Sequence, residues 1–407
     1  MNVSNPETAA LLRRIADQQG EMLATLRRWA DVNSGTRNLA GIAEVSAMVE
    51  ASFRRLADDT ISVAVKPQAV VDRRGDVNEC PLGNTLVFRR RTEARNQVVL
   101  SIHLDTVYPE DSSFQSTRIE GDRLMGPGVA DAKGGLVVML HALAAYEEFA
   151  KANPRESLGW TVIVGADEEV GSPGSAAVFD QYAPGASFGL IYEPCLPNGD
   201  LVAERGGSGN FAIVVRGTSA HAGREFSRGR NSVVGAAHLA TGLAALNGRW
   251  PRTTINVARI EGGGPTNVVP DLAIVHFNVR YSEREQESEL LAAFDNLTKP
   301  LHDLQCEQHG TFSAPPKRQT DSMLQLQNDI AEAGRGIDLD FDWQVTGGVC
   351  DGNRLAALGV PNIDTMGVQG GDIHSHSEYM LIPSLVTRTQ LSLLTLIQRT
   401  KVLNERP

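Results

Sequence analysis

The residues of this chain that are equipped for chemistry gather where short apolar runs end. Val98-Val99-Leu100-Ser101-Ile102 leads into His103-Leu104-Asp105, Thr161-Val162-Ile163-Val164 leads into Asp167-Glu168-Glu169, and Gly189-Leu190-Ile191-Tyr192 leads into Glu193. In an open α/β sheet the ligand crevice lies at the carboxyl ends of the strands, so three separate segments are expected to deliver carboxylates and an imidazole to one place.

His103 and Asp105 are two apart, and side chains two apart in an extended segment share a face. The aspartate is then placed to hold the imidazole by its second nitrogen, fixing the tautomer that a metal ligand needs. Glu168 and Glu169 are adjacent and would point to opposite faces of a regular strand. If both serve one site, the backbone has left the strand, as Gly165 and Gly171 permit. One glutamate then ligates metal while the other faces substrate. The turn Gly126-Pro127-Gly128-Val129-Ala130-Asp131-Ala132-Lys133-Gly134-Gly135 carries one aspartate ahead of an apolar helix, a placement suited to bridging two cations. A phosphate-binding loop is the competing reading, but its closing Gly-Lys-Ser/Thr is missing.

These segments need a scaffold. Apolar residues at helical spacing from about 8 to 33 and from about 39 to 56 predict two helices. A strand at 98–104, a helix at 135–149 and strands at 160–164 and 188–192 follow, the alternation of an α/β domain. From about Arg205 the pattern becomes strand (210–215), helix (232–246), strand (254–260), strand (272–281), helix (283–302), strand (305–312). This βαββαβ order is that of a ferredoxin-like α+β domain. After Pro315 and Pro316 come a helix, a strand at 340–345, a helix at 352–358 and a final helix from about Pro383. The expected division is a discontinuous catalytic domain, 1–205 and 316–407, with a domain inserted at 206–315.

A chain of 407 residues exceeds what one core usually supports, in keeping with two domains. With 42% hydrophobic and 21% charged residues it has the balance of a globular protein. The net charge of −11, with basic residues scattered, argues against a nucleic-acid partner. No stretch approaches the ~18 apolar residues of a membrane span, and the N-terminus lacks the pattern of a secretory leader. Cys80, Cys195, Cys306 and Cys350 are widely spaced and read as reduced thiols. The expectation is a cytoplasmic protein with no membrane partner.

Several further segments complete a pattern: Thr106-Val107 after Asp105, Val170-Gly171-Ser172 after Glu169, Tyr192-Glu193-Pro194, Gly217-Thr218-Ser219-Ala220-His221-Ala222-Gly223, Asn267-Val268-Val269-Pro270-Asp271, and His374 with Glu378. In this order, and through nearly the whole chain, the sequence resembles the dizinc metallopeptidases that include glutamate carboxypeptidase, acetylornithine deacetylase, succinyl-diaminopimelate desuccinylase and aminoacylase, the M-20 peptidase family. The resemblance implies a mixed-sheet zinc-peptidase domain and two zinc ions per chain, with cobalt or manganese as substitutes. It implies that His103 and Glu193 hold one zinc, Glu169 and His374 the other, and that Asp131 bridges them and precedes a cis peptide. Glu168 is then the general base, Asp105 the partner of His103, and a zinc-bridged hydroxide the nucleophile. The inserted domain is implied to act as lid and to form a homodimer in which His221 reaches the neighbouring active site, while Asn267 and Arg280 bind substrate. His376 competes with His374 for the last ligand position, and the family's glutamate four residues on favours His374.

Three carboxylates and two neutral imidazoles nearly balance two divalent ions, so an anionic substrate terminus needs a separate cation. Arg280 is the first candidate. Tyr108, the Gly126-Pro127-Gly128 turn, and Gly347-Gly348 ahead of Asp351 are most similar to glutamate carboxypeptidase, which places Gly348 beside the substrate and implies cleavage of an amide next to a free carboxylate. Asp200 stands about where that enzyme has a lysine, and Ala314-Pro315-Pro316 lacks an arginine often found there, so the side-chain preference is left open. An N-acyl amino acid deacylase is the alternative enzyme. A metal-depleted protein that binds amino-acid conjugates without turnover is the reading from another class.

Overall fold

Val98, Leu100 and Ile102 turn one way from the strand Gln97–His103 and Val99 the other, and both sides are buried in apolar cores. A strand apolar on both faces belongs inside a sheet covered on both sides. The computed structural model, which describes residues 5–154 and 157–405, places it so. The six-stranded sheet is ordered Asp59–Val63, Thr85–Arg90, Gly159–Gly165, Gln97–His103, Phe188–Ile191, Asn362–Ile363. The last four strands run parallel, and Thr85–Arg90 runs against both of its neighbours, giving a mixed sheet.

One face is covered by the helices Pro6–Asp17, Gln19–Ala30, Leu39–Phe53, Lys133–Ala152, Asp321–Arg335 and Ile382–Asn404, around Leu100, Trp160 and Val162. Ala176–Tyr182 and Asp351–Ala357 cover the other, through Phe179 and Leu355. The N-terminal helix expected as one is two, interrupted at Gln18, and each half turns its own stripe (Leu11, Leu12, Ile15; Met22, Leu26, Trp29) into the same core. The pairing His103↔Gly165 and Ser101↔Ile191 brings three parallel strands to an end at one edge. That shared edge carries the acidic and imidazole segments.

Residues 207–314 build a second sheet, antiparallel throughout, ordered Thr254–Gly262, Leu272–Tyr281, Gly207–Arg216, Gln305–Ala314. The helices Ser232–Ala245 and Gln286–Thr298 pack on one face of it, around Phe211, Leu239, Phe277 and Phe294. The second of these is shorter than the expected 283–302 because Pro300 disfavours helix at the residue before it. On the opposite face Ala212, Val214 and Ile274 pack with Val71, from the hairpin Gln68–Val71 and Val77–Cys80. Where the chain enters and leaves this unit, Arg205 and Lys317 exchange two backbone hydrogen bonds of 3.0 Å. Among the described residues no helix is long and apolar enough to cross a membrane, and the four cysteines are free.

Candidate active site

His103 ends its strand and is fully buried. Its Nδ1 lies 3.0 Å from the carbonyl oxygen of Asp105 and 3.4 Å from the Asp105 carboxylate. A proton on Nδ1 donated to that carbonyl leaves the Nε2 lone pair facing the cleft, which is the tautomer a metal ligand needs. The nearer group is thus the backbone of Asp105 rather than its side chain. The carboxylate itself accepts hydrogen bonds from Thr36 Oγ1 at 2.7 Å and from the backbone N–H groups of Glu168 and Glu169 at 3.2 and 3.3 Å. Asp105 therefore ties the imidazole segment to the acidic one.

That acidic segment leaves the strand as a single tight turn, Glu168–Val170, ended by Gly171 at φ 89°. The left-handed conformation there favours glycine. The buried Asp167 carboxylate accepts from the backbone of Gly174 and Ser175, and Ser172 donates to Asp351 at 2.5 Å, so the turn is anchored from three sides.

Asp131 precedes a cis peptide to Ala132 and faces the same cleft. Its Oδ1 lies 3.1 Å from His103 Nε2 and its Oδ2 3.2 Å from His374 Nε2. Glu193 Oε2 stands 3.7 Å from His103 Nε2, and Glu169 Oε2 3.3 Å from His374 Nε2. The donors sort into two sets that share Asp131. Glu169 Oε1 and Glu193 Oε1 are buried with no hydrogen-bond partner among the described residues, an expensive state for carboxylate oxygens unless a cation meets them. Nitrogen and oxygen donors in this number suit divalent ions such as zinc, and the residues fit a bridged pair.

His374 stands on a turn at φ 61° and directs Nε2 at Asp131 and Glu169. His376 stacks on Phe114 with centroids 5.6 Å apart, and its Nε2 lies 3.5 Å from Ser112 Oγ. Four residues beyond His374, the buried Glu378 carboxylate accepts from the backbone N–H groups of Gly128, Ala130 and Asp131 at 3.1, 2.9 and 3.0 Å, and from the Tyr108 hydroxyl at 2.8 Å. Sequence reasoning noted Glu378 only as a spacing marker for His374. Its partners lie far away in the chain.

Burial pushes the Glu168 carboxyl well up, with Glu193, Asp351 and Glu169 adding to the effect and His103 opposing it. Burial would also raise Asp131, but hydrogen bonds from His103 and His374 hold it well below the usual carboxylate range. Hydrogen bonds to Asp131 and Glu169 push His374 up to about 10. These shifts favour protons on the two imidazoles. A metal that binds must displace them.

Asp131, Glu168, Glu169, Glu193 and His374 line a cleft of about 490 Å³ together with Arg280, Gly348 and Arg205. Arg280 donates through Nε to Asn278 Oδ1 at 3.0 Å, its Nη1 is 3.5 Å from the Gly347 carbonyl, and it feels the charge of Glu168. Asp200 accepts from the Asp342 backbone, Gln344 and Asn198, and is not among the cleft residues. His221 and Asn267 are exposed and lie outside this cleft. His221 pairs with Val268 on the strands Ala220–His221 and Val268–Val269, and Asn267 just before the second strand accepts the Ala222 N–H at its carbonyl at 2.9 Å. Arg205, Thr346, Thr365 and Asp372 are among the cleft residues that sequence reasoning missed.

A mixed α/β sheet whose strand ends and adjoining loops deliver two sets of nitrogen and oxygen donors sharing one aspartate defines the class: the chain is a metal-dependent peptidase or amidohydrolase. Residues 99–398 match the model of peptidase family M20/M25/M40, and the chain belongs to that family. It is 26% identical over 392 residues to carboxypeptidase G2 of Pseudomonas sp. (strain RS-16), covering 94% of this chain and 90% of that one. It is 28% identical over 286 residues to succinyl-diaminopimelate desuccinylase of Verminephrobacter eiseniae (strain EF01-2), covering 67% and 69%. Its fold is similar to that of an M20 family metallo-carboxypeptidase from Sulfolobus solfataricus, with a TM-score of 0.74 at 16% identity over 94% of this chain and 99% of the other.

Proposed function

We propose that this chain is a zinc-dependent hydrolase that cleaves a peptide or amide bond next to a free carboxylate, in the manner of a glutamate carboxypeptidase. The observation that carries the reading is the half-buried Arg280 guanidinium in the same cleft as Glu168 and the two ligand sets. A guanidinium grips a carboxylate in a two-pronged fork, which places the adjacent amide over the ligand cluster.

When bound, a pair of zinc ions lowers the pKa of a water molecule and polarises the scissile carbonyl. Glu168 is the group free to take the proton from that water and hand it to the leaving nitrogen, since Asp105 holds its backbone and its carboxylate has no part in either ligand set. His103, Asp131, Glu169, Glu193 and His374 would hold the metals. The similarity to a desuccinylase favours a second reading, removal of an acyl group from an N-acyl amino acid, which the same residues would perform.

The division into a catalytic domain, 1–205 and 316–407, and a lid and dimerisation domain, 206–315, is part of this proposal. In support, Thr254–Gly262 is an edge strand with exposed residues along its length, and the neighbouring helix Ser232–Ala245 exposes Val234, Ala237, His238 and Thr241. An unpaired edge of this length is a template for pairing with a second copy. The exposed His221 and Asn267 then serve the partner's cleft.

The test is hydrolysis of dipeptides, acylated amino acids and folate-type conjugates by zinc-loaded wild type and Glu168→Gln. Wild type cleaves members of the panel, and the variant keeps its zinc and loses activity by roughly 100-fold or more. Undiminished hydrolysis by the variant removes Glu168 as the base.

A further inference from the structure

The cleft that holds the two donor sets also has an apolar wall. Leu196 and Pro197 stand on the turn that follows Glu193, Val202 on the strand Leu201–Arg205, Val349 just ahead of the helix Asp351–Ala357, and Ile373 beside His374, and all five line the cavity. Ile373 is 42% exposed, Pro197 is exposed, and Leu196 and Val349 are half-buried. Large apolar side chains turned to water inside a cleft mark a surface that a ligand covers.

This wall is held in place by the backbone. The turn closes on itself, with Leu196 N–H donating to the Asp200 carbonyl at 3.0 Å and Gly199 N–H to the Leu196 carbonyl at 2.7 Å. It is fastened to the segment that leads to Ile373: Cys195 N–H donates to the Val368 carbonyl at 3.1 Å, and Gln369 Nε2 to the Pro197 carbonyl at 2.9 Å. Val202 joins the same segment through its N–H, which Thr365 Oγ1 accepts at 2.9 Å.

The polar side chains among these residues already carry hydrogen bonds from within the protein. Thr365 takes the Val202 N–H, Thr346 Oγ1 takes the Gly348 N–H at 3.2 Å, Cys350 Sγ takes the Gly352 N–H at 3.3 Å, and Arg388 donates to Cys195 Sγ at 2.9 Å. Asp200, from the same turn as Leu196, lies outside the cleft with its carboxylate accepting from the Asp342 backbone, Gln344 and Asn198. Asp372 is exposed beside Ile373, so its charge stays in water. An apolar group laid on the wall takes both surfaces out of water, whereas a polar group of the same shape loses its water and gains few partners.

We propose that Leu196, Pro197, Val202, Val349 and Ile373 select the substrate, which presents to them an apolar group, branched aliphatic or aromatic. This rests on the reading of the chain as a hydrolase that holds the scissile amide in this cleft. The apolar group is either the side chain of the released amino acid or the end of the acyl part, and matched substrates tell these apart.

The experiment uses the zinc-loaded full chain and two pairs of substrates matched in shape: N-acetylleucine against N-acetylasparagine, which differ in the released side chain, and 4-methylpentanoylglycine against succinamoylglycine, which differ at the acyl end. In at least one pair the apolar member is expected to exceed the amide in kcat/KM by about 10- to 100-fold. The pair that discriminates identifies the end that lies on the wall. Leu196→Asn is expected to lower that ratio about tenfold, and Val349→Thr, which keeps the shape of the side chain, about threefold, both with zinc content unchanged. If one variant does not fold, the other decides. Ratios near or below one in both pairs for wild type, or a ratio unchanged in the folded variants, overturn the proposal. Failure of wild type to cleave any of the four compounds counts instead against the hydrolase reading. Calorimetric binding of the same four compounds to zinc-loaded wild type then decides the wall: in at least one pair the apolar member binds about tenfold more tightly, and equal binding in both pairs overturns it.

Discussion

Glu378 holds Asp131 by its backbone: one carboxylate oxygen accepts the N–H groups of both Ala130 and Asp131, at 2.9 and 3.0 Å, while the other accepts from Gly128 and from the Tyr108 hydroxyl. The segment carrying His374 is thereby fastened to the loop carrying Asp131 and, through Tyr108, to the segment following His103. Three stretches of chain that carry the proposed ligands meet on one carboxylate.

Glu378→Gln places an amide NH₂ against N–H donors and loosens that junction. The expected outcome is a zinc affinity 10- to 100-fold weaker, by analogy with other residues that orient ligands, with activity recovered at higher zinc. Equilibrium dialysis against a zinc buffer measures it. Wild-type affinity in the variant would show that the junction does not position the ligands.

The acid side of metal binding follows from the cluster's proton affinity. Without metal, His374 is pushed up to about 10, and His103 well above the usual imidazole value, where the Glu193 charge and hydrogen bonds to Asp105, Asp131 and Glu193 outweigh burial. Both are protonated at neutral pH and must lose those protons to bind zinc. Affinity therefore rises with pH and falls on acidification, with protons released as zinc binds. Calorimetry in buffers of different ionisation enthalpy counts them. Zinc affinity that is flat between about pH 6 and 8 would contradict the exchange.

Sequence patterns located most of this site because strand ends are visible as apolar runs stopping at polar residues. His103, Glu168, Glu169 and Glu193 all follow such runs, and the structure brings all four to one edge of the sheet. Periodicity also gave the second sheet its element order. What the sequence does not display is pairing across distance. Glu378 is an ordinary glutamate until Gly128, Ala130 and Asp131 are seen to surround it. Arg205 is an ordinary strand-end arginine until Lys317 has claimed the same aspartate. The Asp105 carboxylate, 3.4 Å from its neighbour His103, also accepts the Glu168 and Glu169 backbone N–H groups, a pairing that the sequence does not display. The strand Asp59–Val63 and the Gln68–Val71 hairpin also went unread, because they alternate half-buried and exposed positions without an apolar run.

The exposed His221 sets up a test of shared active sites. His221→Ala is expected to lose roughly 100-fold or more in turnover with zinc content unchanged, as for loss of a donor to the oxyanion. Mixing it in equal amounts with Glu168→Gln, with exchange of subunits, should restore about a quarter of wild-type activity, because half the dimers then carry one complete site. If His221 acts within its own chain, no mixture recovers activity.

The central claim is that Asp131 joins two metal positions, one completed by His103 and Glu193 and the other by Glu169 and His374. Zinc per chain, measured by mass spectrometry on wild type and single variants at one fixed free-zinc level, addresses it most directly. The account predicts about two zinc ions in wild type and in His376→Ala, about one in His374→Ala, and close to none in Asp131→Ala. One zinc or fewer in saturated wild type, or metal lost from His376→Ala and retained in His374→Ala, would contradict it.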